Sequence, residues 1–337
     1  MRTENIDEPA RPAGVPWRAV GIFSAIAYGG AWLAMLPLLL SGFERTGTGV
    51  GQTVLTQICI AVMMAVPALT AIGMLKWVHR PGSVLAAVGL VPPRPWRRLA
   101  VRCAAAFMIP IGLQLVALLI SAAAGTYHFD LVDFSGFRTQ FAPETVGGTG
   151  LPVAAMLAFL VSLVIGLVVW LPMFFGEELG WQGYLFPRLL PLGPWRALLL
   201  TAVVVALWHL PTLVMGGQYP GHTLLESVVF MLVGATLLVP ILCWLRIRTG
   251  SVWPPVFAHL AVSHVNVRMV WTLADAGPDG AVQLDPLHVG LNGWPGWIAM
   301  AAFLVVLGAT GRFRLLTRSG ETVDNDAVAV SRASGQP

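Results

Sequence analysis

Two adjacent glutamates and two histidines stand out because they occur inside long apolar segments. Glu177 and Glu178 lie in LPMFFGEELGWQGYLF, His209 in VVVALWHLP, and His259 in VWPPVFAHLAVS. An ionisable side chain at membrane depth is costly unless it pairs with another group or serves a water-filled site, so its first interpretation is functional. Glutamate and histidine also serve as general acids and bases. The sequence therefore predicts a reaction site at these positions.

The three segments place their polar groups at a similar depth. Each of Glu177, His209 and His259 lies eleven to thirteen residues from an arginine at one predicted membrane surface. At 1.5 Å rise per residue, this separation is about 16–20 Å in a continuous helix. Because unrelated polar residues would be scattered in depth, this agreement favours a single shared site.

The residue types suit the hydrolysis of a peptide bond. One of Glu177 and Glu178 would take a proton from water, since an apolar pocket makes a carboxylate a stronger base. His209 would orient that water or protonate the leaving amine. His259 and Ser263 are four residues apart and share a helix face, from which both would donate to the oxyanion of a tetrahedral intermediate.

The composition predicts the element that must carry these groups, a helix that crosses a membrane. Hydrophobic residues make up 56% of the 337-residue chain and charged residues 11%, with a mean hydropathy of +0.76. Soluble domains carry about 25% charged residues. We predict an all-α, polytopic helical bundle with about eight transmembrane helices of ~20 residues each. The predicted spans are 17–40, 53–75, 99–123, 151–178, 197–215, 225–245, 251–273 and 295–311.

The distribution of basic residues predicts the orientation and the domain boundaries. Of the 20 basic residues, only Arg45, Arg138 and Arg268 fall on one side of the predicted membrane. The positive-inside rule then places both termini in the cytoplasm. Residues 1–16 form a polar N-terminal tail, 17–315 form the helical domain with its motifs within 150–265, and 316–337 form a disordered tail.

Other classes of function find little support in the composition. The formal charge of +4 follows from the basic loops of a membrane protein, so no nucleic-acid partner is implied. Three scattered cysteines inside predicted spans indicate neither a disulfide framework nor a metal cluster. The predominance of arginine over lysine suggests a GC-rich genome, and we predict a bacterial plasma membrane.

Three segments resemble the motifs of the CPBP family, the CAAX prenyl endopeptidase and bacteriocin-processing (Abi) intramembrane proteases. The segments are GEELGWQGYLFPRL, ALWHLP and VFAHLAVS, and the similarity covers roughly 150–265. The family pattern is Glu-Glu-x-x-x-Arg, then an aromatic-x-x-x-His, then His-x-x-x-Asn or a similar small polar residue. The resemblance implies an eight-span intramembrane endopeptidase that acts on a membrane-associated peptide or protein within the lipid bilayer.

Carried over position by position, the resemblance assigns roles to the same residues. Glu177 becomes the water-activating base with Glu178 beside it, His209 helps to bind the water, and His259 with Ser263 forms the oxyanion site.

The supporting motif positions are Trp181, Gln182 and Val205, and two of them depart from the pattern. Gln182 stands where the family usually has arginine, and Val205 stands where it usually has an aromatic residue. Loss of a fixed positive charge at position 182 is expected to change the activity or its pH optimum.

The family is described both as metalloproteases and as metal-free glutamic proteases. We favour the metal-free mechanism with no cofactor, because His-Glu-x-x-His is absent and the candidate ligands lie on separate helices. In the alternative, Glu177, His209 and His259 hold a divalent metal such as zinc, with an open fourth position.

The functional prediction is an integral-membrane endopeptidase whose site is reached from the cytoplasmic side. The alternative is a non-enzymatic membrane protein, either a proton-coupled transporter that uses glutamate and histidine as a relay or a catalytically weakened immunity or partner protein.

Overall fold

The computed structural model describes residues 14–45, 53–91, 95–277, 280, 282 and 284–313. Within this part of the chain the fold is helical, without a β-strand and with one isolated bridge between Phe129 and Ala274. The α-helices are α1 (Trp17–Leu40), α2 (Val54–Gly73), α3 (Val84–Ala87), α4 (Trp96–Ala123), α5 (Ser135–Phe141), α6 (Val153–Gly180), α7 (Phe186–Leu189), α8 (Pro194–Trp208), α9 (Leu210–Val214), α10 (Leu224–Thr249), α11 (Trp253–Leu260), α12 (Val267–Leu273) and α13 (Trp294–Ala309).

The helices confirm the prediction of a polytopic membrane bundle. Five segments are long and apolar enough to cross a membrane: Trp17–Leu40, Val54–His79, Trp96–Ala123, Val153–Leu192 and Leu224–Thr249. The fifth and eighth predicted spans contain the shorter apolar helices α8 and α13. The seventh predicted span is divided between α11 and α12. Most of the two predicted tails lies outside the described residues.

Each motif segment departs from regular α-helix next to its polar residue. A π-helical turn, Trp181–Leu185, follows the two glutamates, and another, Ala261–Asn266, follows His259. Helix α8 ends at Trp208, so that His209 joins it to the short helix α9. Such breaks release backbone groups from the regular hydrogen-bond ladder and often occur at functional sites. Hydropathy alone predicts continuous helices here, because π-helical turns keep the same apolar composition.

An aromatic layer packs the bundle on one side of the motifs. Phe23 of α1 stacks on Tyr184 with ring centroids 4.7 Å apart and meets Trp181 edge-on at 5.7 Å. Trp181 in turn contacts Trp208 edge-on at 5.5 Å. All four side chains are fully buried. Since Trp208 directly precedes His209, this layer fixes the backbone of two motifs relative to each other.

Two glycines that flank the glutamates let α6 approach α2 closely. A Cβ atom at Gly176 would lie 2.7 Å from the carbonyl oxygen of Met64, and one at Gly180 would overlap Pro67. Small residues four positions apart allow such close helix packing in membranes. The short distance between α6 and α2 therefore depends on these two positions.

We expect Gly180→Ala to destabilise the protein, because the added methyl group has no space against Pro67. Overpacking of this kind costs about 1–3 kcal/mol, which is measurable as a lower Tm in detergent. Gly112→Ala in α4 is the control, since no heavy atom lies within 4 Å of its added Cβ. Equal Tm values for the two variants would contradict the packing described here.

Candidate active site

The predicted site residues line one cavity of about 450 Å³. It is bounded by the predicted catalytic residues Glu177, Glu178, His209, His259 and Ser263. The supporting residues Trp181, Gln182 and Val205 also line it. Three separate helical segments thus bring their polar side chains to a single space, as the agreement in depth predicted.

A hydrogen bond between Glu178 and His259 joins two of the motifs. His259 Nδ1 lies 2.7 Å from Glu178 Oε1, and the Glu178 side chain is 2% exposed. Because a carboxylate only accepts, Nδ1 carries the proton. This leaves Nε2 as the ring nitrogen that can serve water or substrate. The Phe174 ring packs against the imidazole at 4.9 Å and restricts its orientation.

Glu177 differs from Glu178 in its surroundings although the two are adjacent. It is 3% exposed, and within the described residues its Oε2 atom has no hydrogen-bond partner. It interacts electrostatically with both His259 and Glu178. A buried polar atom without a protein partner is costly unless water or a ligand satisfies it. Glu178 Oε2 is buried without a partner as well, but Glu178 Oε1 is bonded to His259, so Glu177 is the carboxylate that no histidine engages among the described residues.

His209 is fixed by the main chain of its own helix. Its Nδ1 lies 2.9 Å from the carbonyl oxygen of Val205, so Nδ1 donates and Nε2 is the remaining nitrogen. The Trp208 ring meets the imidazole edge-on at 4.9 Å. At position 205 it is thus the backbone that holds the histidine, while the valine side chain only lines the cavity.

Ser263 lies on the π-helical turn Ala261–Asn266 and not on the regular α-helix that its spacing from His259 suggested. Its side chain is exposed and lines the cavity. Among the described residues its hydroxyl makes no hydrogen bond with His259. The serine therefore shares the cavity with His259 without contacting it through a hydrogen bond.

Gln182, at the position where the resemblance expects arginine, is almost fully buried. Its Oε1 has no hydrogen-bond partner in the described part of the chain, whereas its main-chain carbonyl accepts from Arg246 Nε at 3.1 Å. Arg246 thus anchors the backbone of the π-helical turn. This arginine contacts the main chain at position 182, and the Gln182 side chain brings no charge to the cavity.

Sequence reasoning missed three polar residues of the cavity wall. Gln114 accepts a hydrogen bond from the main-chain nitrogen of Leu291 at 3.0 Å. Asn266 is buried and donates to the carbonyl of Pro110 at 3.0 Å. Arg268, which entered the prediction only as a topology marker, lines the same cavity. Their signal was available, since each is a polar residue within a predicted span.

The metal alternative requires at least three ligands close together. Within residues 14–45, 53–91, 95–277, 280, 282 and 284–313, no group of three or more His, Cys, Asp or Glu side chains is arranged to hold a metal ion. The set Glu177, His209 and His259 does not form such a group. We therefore derive no step through a metal, and the preference for a cofactor-free reaction stays a prediction.

The cavity extends away from the basic end of the bundle. Its lining includes Arg45, Gln218, Asp285 and Asn292, which lie in the loops at the opposite end. None of its described lining residues comes from the basic segments 76–98, 188–196 or 246–252. The expectation of a site reached from the cytoplasmic side stays a prediction. The aromatic layer around Tyr184 occupies the basic end of the bundle.

Comparison with known proteins supports the family assignment. Residues 158–265 match the family model described as type II CAAX prenyl endopeptidase Rce1-like. The matched segment contains all three motifs. The match supports the resemblance of this segment to the CPBP group of CAAX-type intramembrane proteases. No curated protein matches the chain. Residues 158–265 are thus similar to a protease family, and the long apolar helices are those of an integral membrane protein.

We expect Glu178→Ala and His259→Ala each to lower stability by about 3 kcal/mol, because either change leaves a buried polar partner unsatisfied. The double variant is expected to lose less than the sum of the two single losses. Chemical unfolding in detergent measures all three. Additive losses would show that the 2.7 Å contact contributes nothing as a pair.

Proposed function

We propose that the protein is an endopeptidase that hydrolyses a peptide bond of a membrane-associated substrate with water activated by Glu177. The observation that carries the proposal is that the two adjacent glutamates differ in their contacts. His259 bonds Glu178 Oε1 at 2.7 Å, whereas Glu177 makes no hydrogen bond to a histidine among the described residues; each glutamate keeps one buried oxygen, its Oε2, without a protein partner. A general base beside an oriented imidazole can catalyse the hydrolysis of an amide bond.

In the first step, water attacks the scissile carbonyl carbon. Glu177 accepts one proton of the water as its oxygen forms the new bond to carbon. His209 Nε2 accepts a hydrogen bond from the same water, because the Val205 carbonyl holds the ring with its proton on Nδ1. Two acceptors on different helices thereby fix the position of the nucleophile before the bond forms.

The negative charge then develops on the former carbonyl oxygen. His259 stabilises this oxyanion from Nε2 when the imidazole is protonated, and the Glu178 carboxylate supports that cation through Nδ1. The Ser263 hydroxyl lines the same cavity and supplies the second hydrogen bond. Donors placed before the reaction in a site of low water content contribute more than they would in bulk solvent.

In the last step, the carbon–nitrogen bond breaks and the carbonyl re-forms. Glu177 passes the proton taken from water to the departing nitrogen, which leaves as an amine. The other product is the carboxylic acid, which releases the remaining proton of the water to the solvent as it ionises to the carboxylate, and the enzyme returns to its starting protonation state.

We expect Glu177→Gln to reduce cleavage of lipidated peptides in liposomes by a factor of about 10²–10⁴, the usual contribution of general base catalysis. Glutamine keeps the size of the side chain but cannot take the proton. Glu144→Gln, at an exposed position outside the cavity, is the matched control. Cleavage by Glu177→Gln at the rate of the control would remove Glu177 from the mechanism.

One observation favours a second candidate, a catalytically weakened family member that acts as a membrane partner or immunity protein. Gln182 is buried in the cavity wall and brings no charge to the position where the family usually has arginine. The buried glutamates therefore lack a cation that the family pattern would supply.

Gln182→Arg separates the two candidates. We expect the arginine to extend into the cavity and raise the rate of peptide cleavage at least tenfold if the natural chain is a weakened enzyme. A rate changed less than threefold, from a wild-type protein that already cleaves, supports a fully active enzyme. Gln57→Arg, which also lines the cavity but lies outside the three motifs, controls for added charge.

The substrate is proposed to be a peptide or protein held at the bilayer, with a bacterial plasma membrane as the location. The apolar surface of the bundle supports the first part, since α6 exposes Val161, Val164 and Val168 to the surroundings. The arginine-rich composition supports the second.

A further inference from the structure

Trp181 is a buried hydrogen-bond donor beside Glu177 that the proposed mechanism does not use. It begins the π-helical turn Trp181–Leu185, follows Glu177 by four positions and lines the same cavity. Residues four apart lie on one face of a helix, so the indole and the carboxylate are neighbours. Hydrogen bonding from the Trp181 side chain is one of the interactions of the Glu177 carboxylate. The two side chains therefore form an adjacent donor and acceptor.

Each of these two side chains has one hydrogen-bonding atom that is not fully satisfied. Among the described residues, Trp181 Nε1 and Glu177 Oε2 are both enclosed without a partner at full hydrogen-bond geometry. An indole N–H only donates and a carboxylate oxygen only accepts, so the two atoms are complementary. Their contact is close but is not aligned as a completed hydrogen bond. Catalytic hydrogen bonds are often long or misaligned in free enzymes and tighten in the reacting complex.

The Trp181 ring is held so that its N–H keeps one direction. Phe23 and Trp208 meet the ring edge-on, with centroids 5.7 Å and 5.5 Å away, and the side chain is 1% exposed. The terminal torsion of a glutamate is broad, so a carboxylate rotates unless a neighbour anchors it. The adjacent glutamate has its anchor in a histidine at 2.7 Å. Trp181 supplies the corresponding donor for Glu177.

We propose that Trp181 is a positioning residue, whose Nε1–H donates to Glu177 Oε2 and turns Oε1 toward the attacking water. This inference rests on the proposed function. The indole keeps its proton throughout, while Oε1 takes the proton of the water and passes it to the departing amine. Because the donor is fixed before the reaction, the base needs no reorientation when the water attacks. Loss of the N–H therefore lowers kcat and leaves KM unchanged.

The test replaces Trp181 by benzothienylalanine, an isosteric residue with sulfur in place of the indole N–H. We expect kcat for lipidated peptides in liposomes to fall roughly 10- to 100-fold at unchanged KM, as for a misplaced catalytic group or a lost hydrogen bond to a charge. Trp244→benzothienylalanine is the matched control. Trp244 Nε1 is also buried without a partner among the described residues, but the side chain lies outside the cavity. Equal kcat values for the two variants would overturn the proposal.

Thermal unfolding in detergent separates positioning from packing. Benzothienylalanine keeps the shape of tryptophan, and substitutions that conserve volume are tolerated best in a packed core. Both variants should therefore keep the Tm of the natural chain. A loss of kcat at Trp181 together with a lower Tm, when the control keeps both, would assign the effect to packing and overturn the positioning role.

The indole N–H can also be observed without cleavage, which separates failure of this inference from failure of the proposed function. With isotope-labelled tryptophan, the nuclear magnetic resonance signals of Trp181 and Trp244 are identified by their loss in Trp181→Phe and Trp244→Phe. We expect Glu177→Gln to shift the Trp181 signal, because a neutral amide oxygen is a weaker acceptor than a carboxylate, and to leave the Trp244 signal in place.

The two measurements have separate outcomes. A Trp181 signal that does not move, or that moves only in Glu178→Gln, would overturn the contact even in an active protease. A signal that moves in Glu177→Gln supports the contact even if no peptide is cleaved. A moved signal with an unchanged kcat in Trp181→benzothienylalanine would show that the contact has no part in the reaction.

Discussion

The site depends on one interaction, the buried hydrogen bond between Glu178 and His259. Each group would be costly to place alone in the apolar bundle, and together they satisfy each other at 2.7 Å. The bond also joins α6 to α11, which are the helices that carry the first and third motifs. Because Glu178 Oε1 is bonded to His259, its neighbour Glu177 is the carboxylate that we propose as the base.

The surrounding helices are irregular where this arrangement requires it. The glutamates sit between glycines that bring α6 against α2 and are followed by a π-helical turn. His209 stands at the junction of α8 and α9, two residues before Pro211, which has no N–H to continue the helix. The glutamates themselves lie in the last turn of α6, directly before the first of these breaks.

Sequence predicted the helices and the identity of the site more successfully than its internal geometry. The predicted spans agree with the helix bounds to within a few residues because length and hydropathy determine them. Polar residues at membrane depth likewise found Glu177, His209 and His259. The pairing of His259 with Glu178 could not be predicted, since i, i+4 spacing reports neighbours within one helix and not contacts across helices. The π-helical turns could not be predicted because they keep the apolar composition of a regular helix. The direction of the cavity, like the Glu178–His259 pair, depends on contacts between helices.

The direction of the cavity constrains what can reach the glutamates. Toward the basic end, the buried rings of Trp181, Tyr184 and Trp208 fill the space, and Tyr184 is held by a 2.9 Å contact with His79. Toward the other end, the wall continues past Ser263 to Arg268 and the loops. The space beside the glutamates therefore lies on the Ser263 side of the aromatic layer, and a substrate must present its cleavage site there.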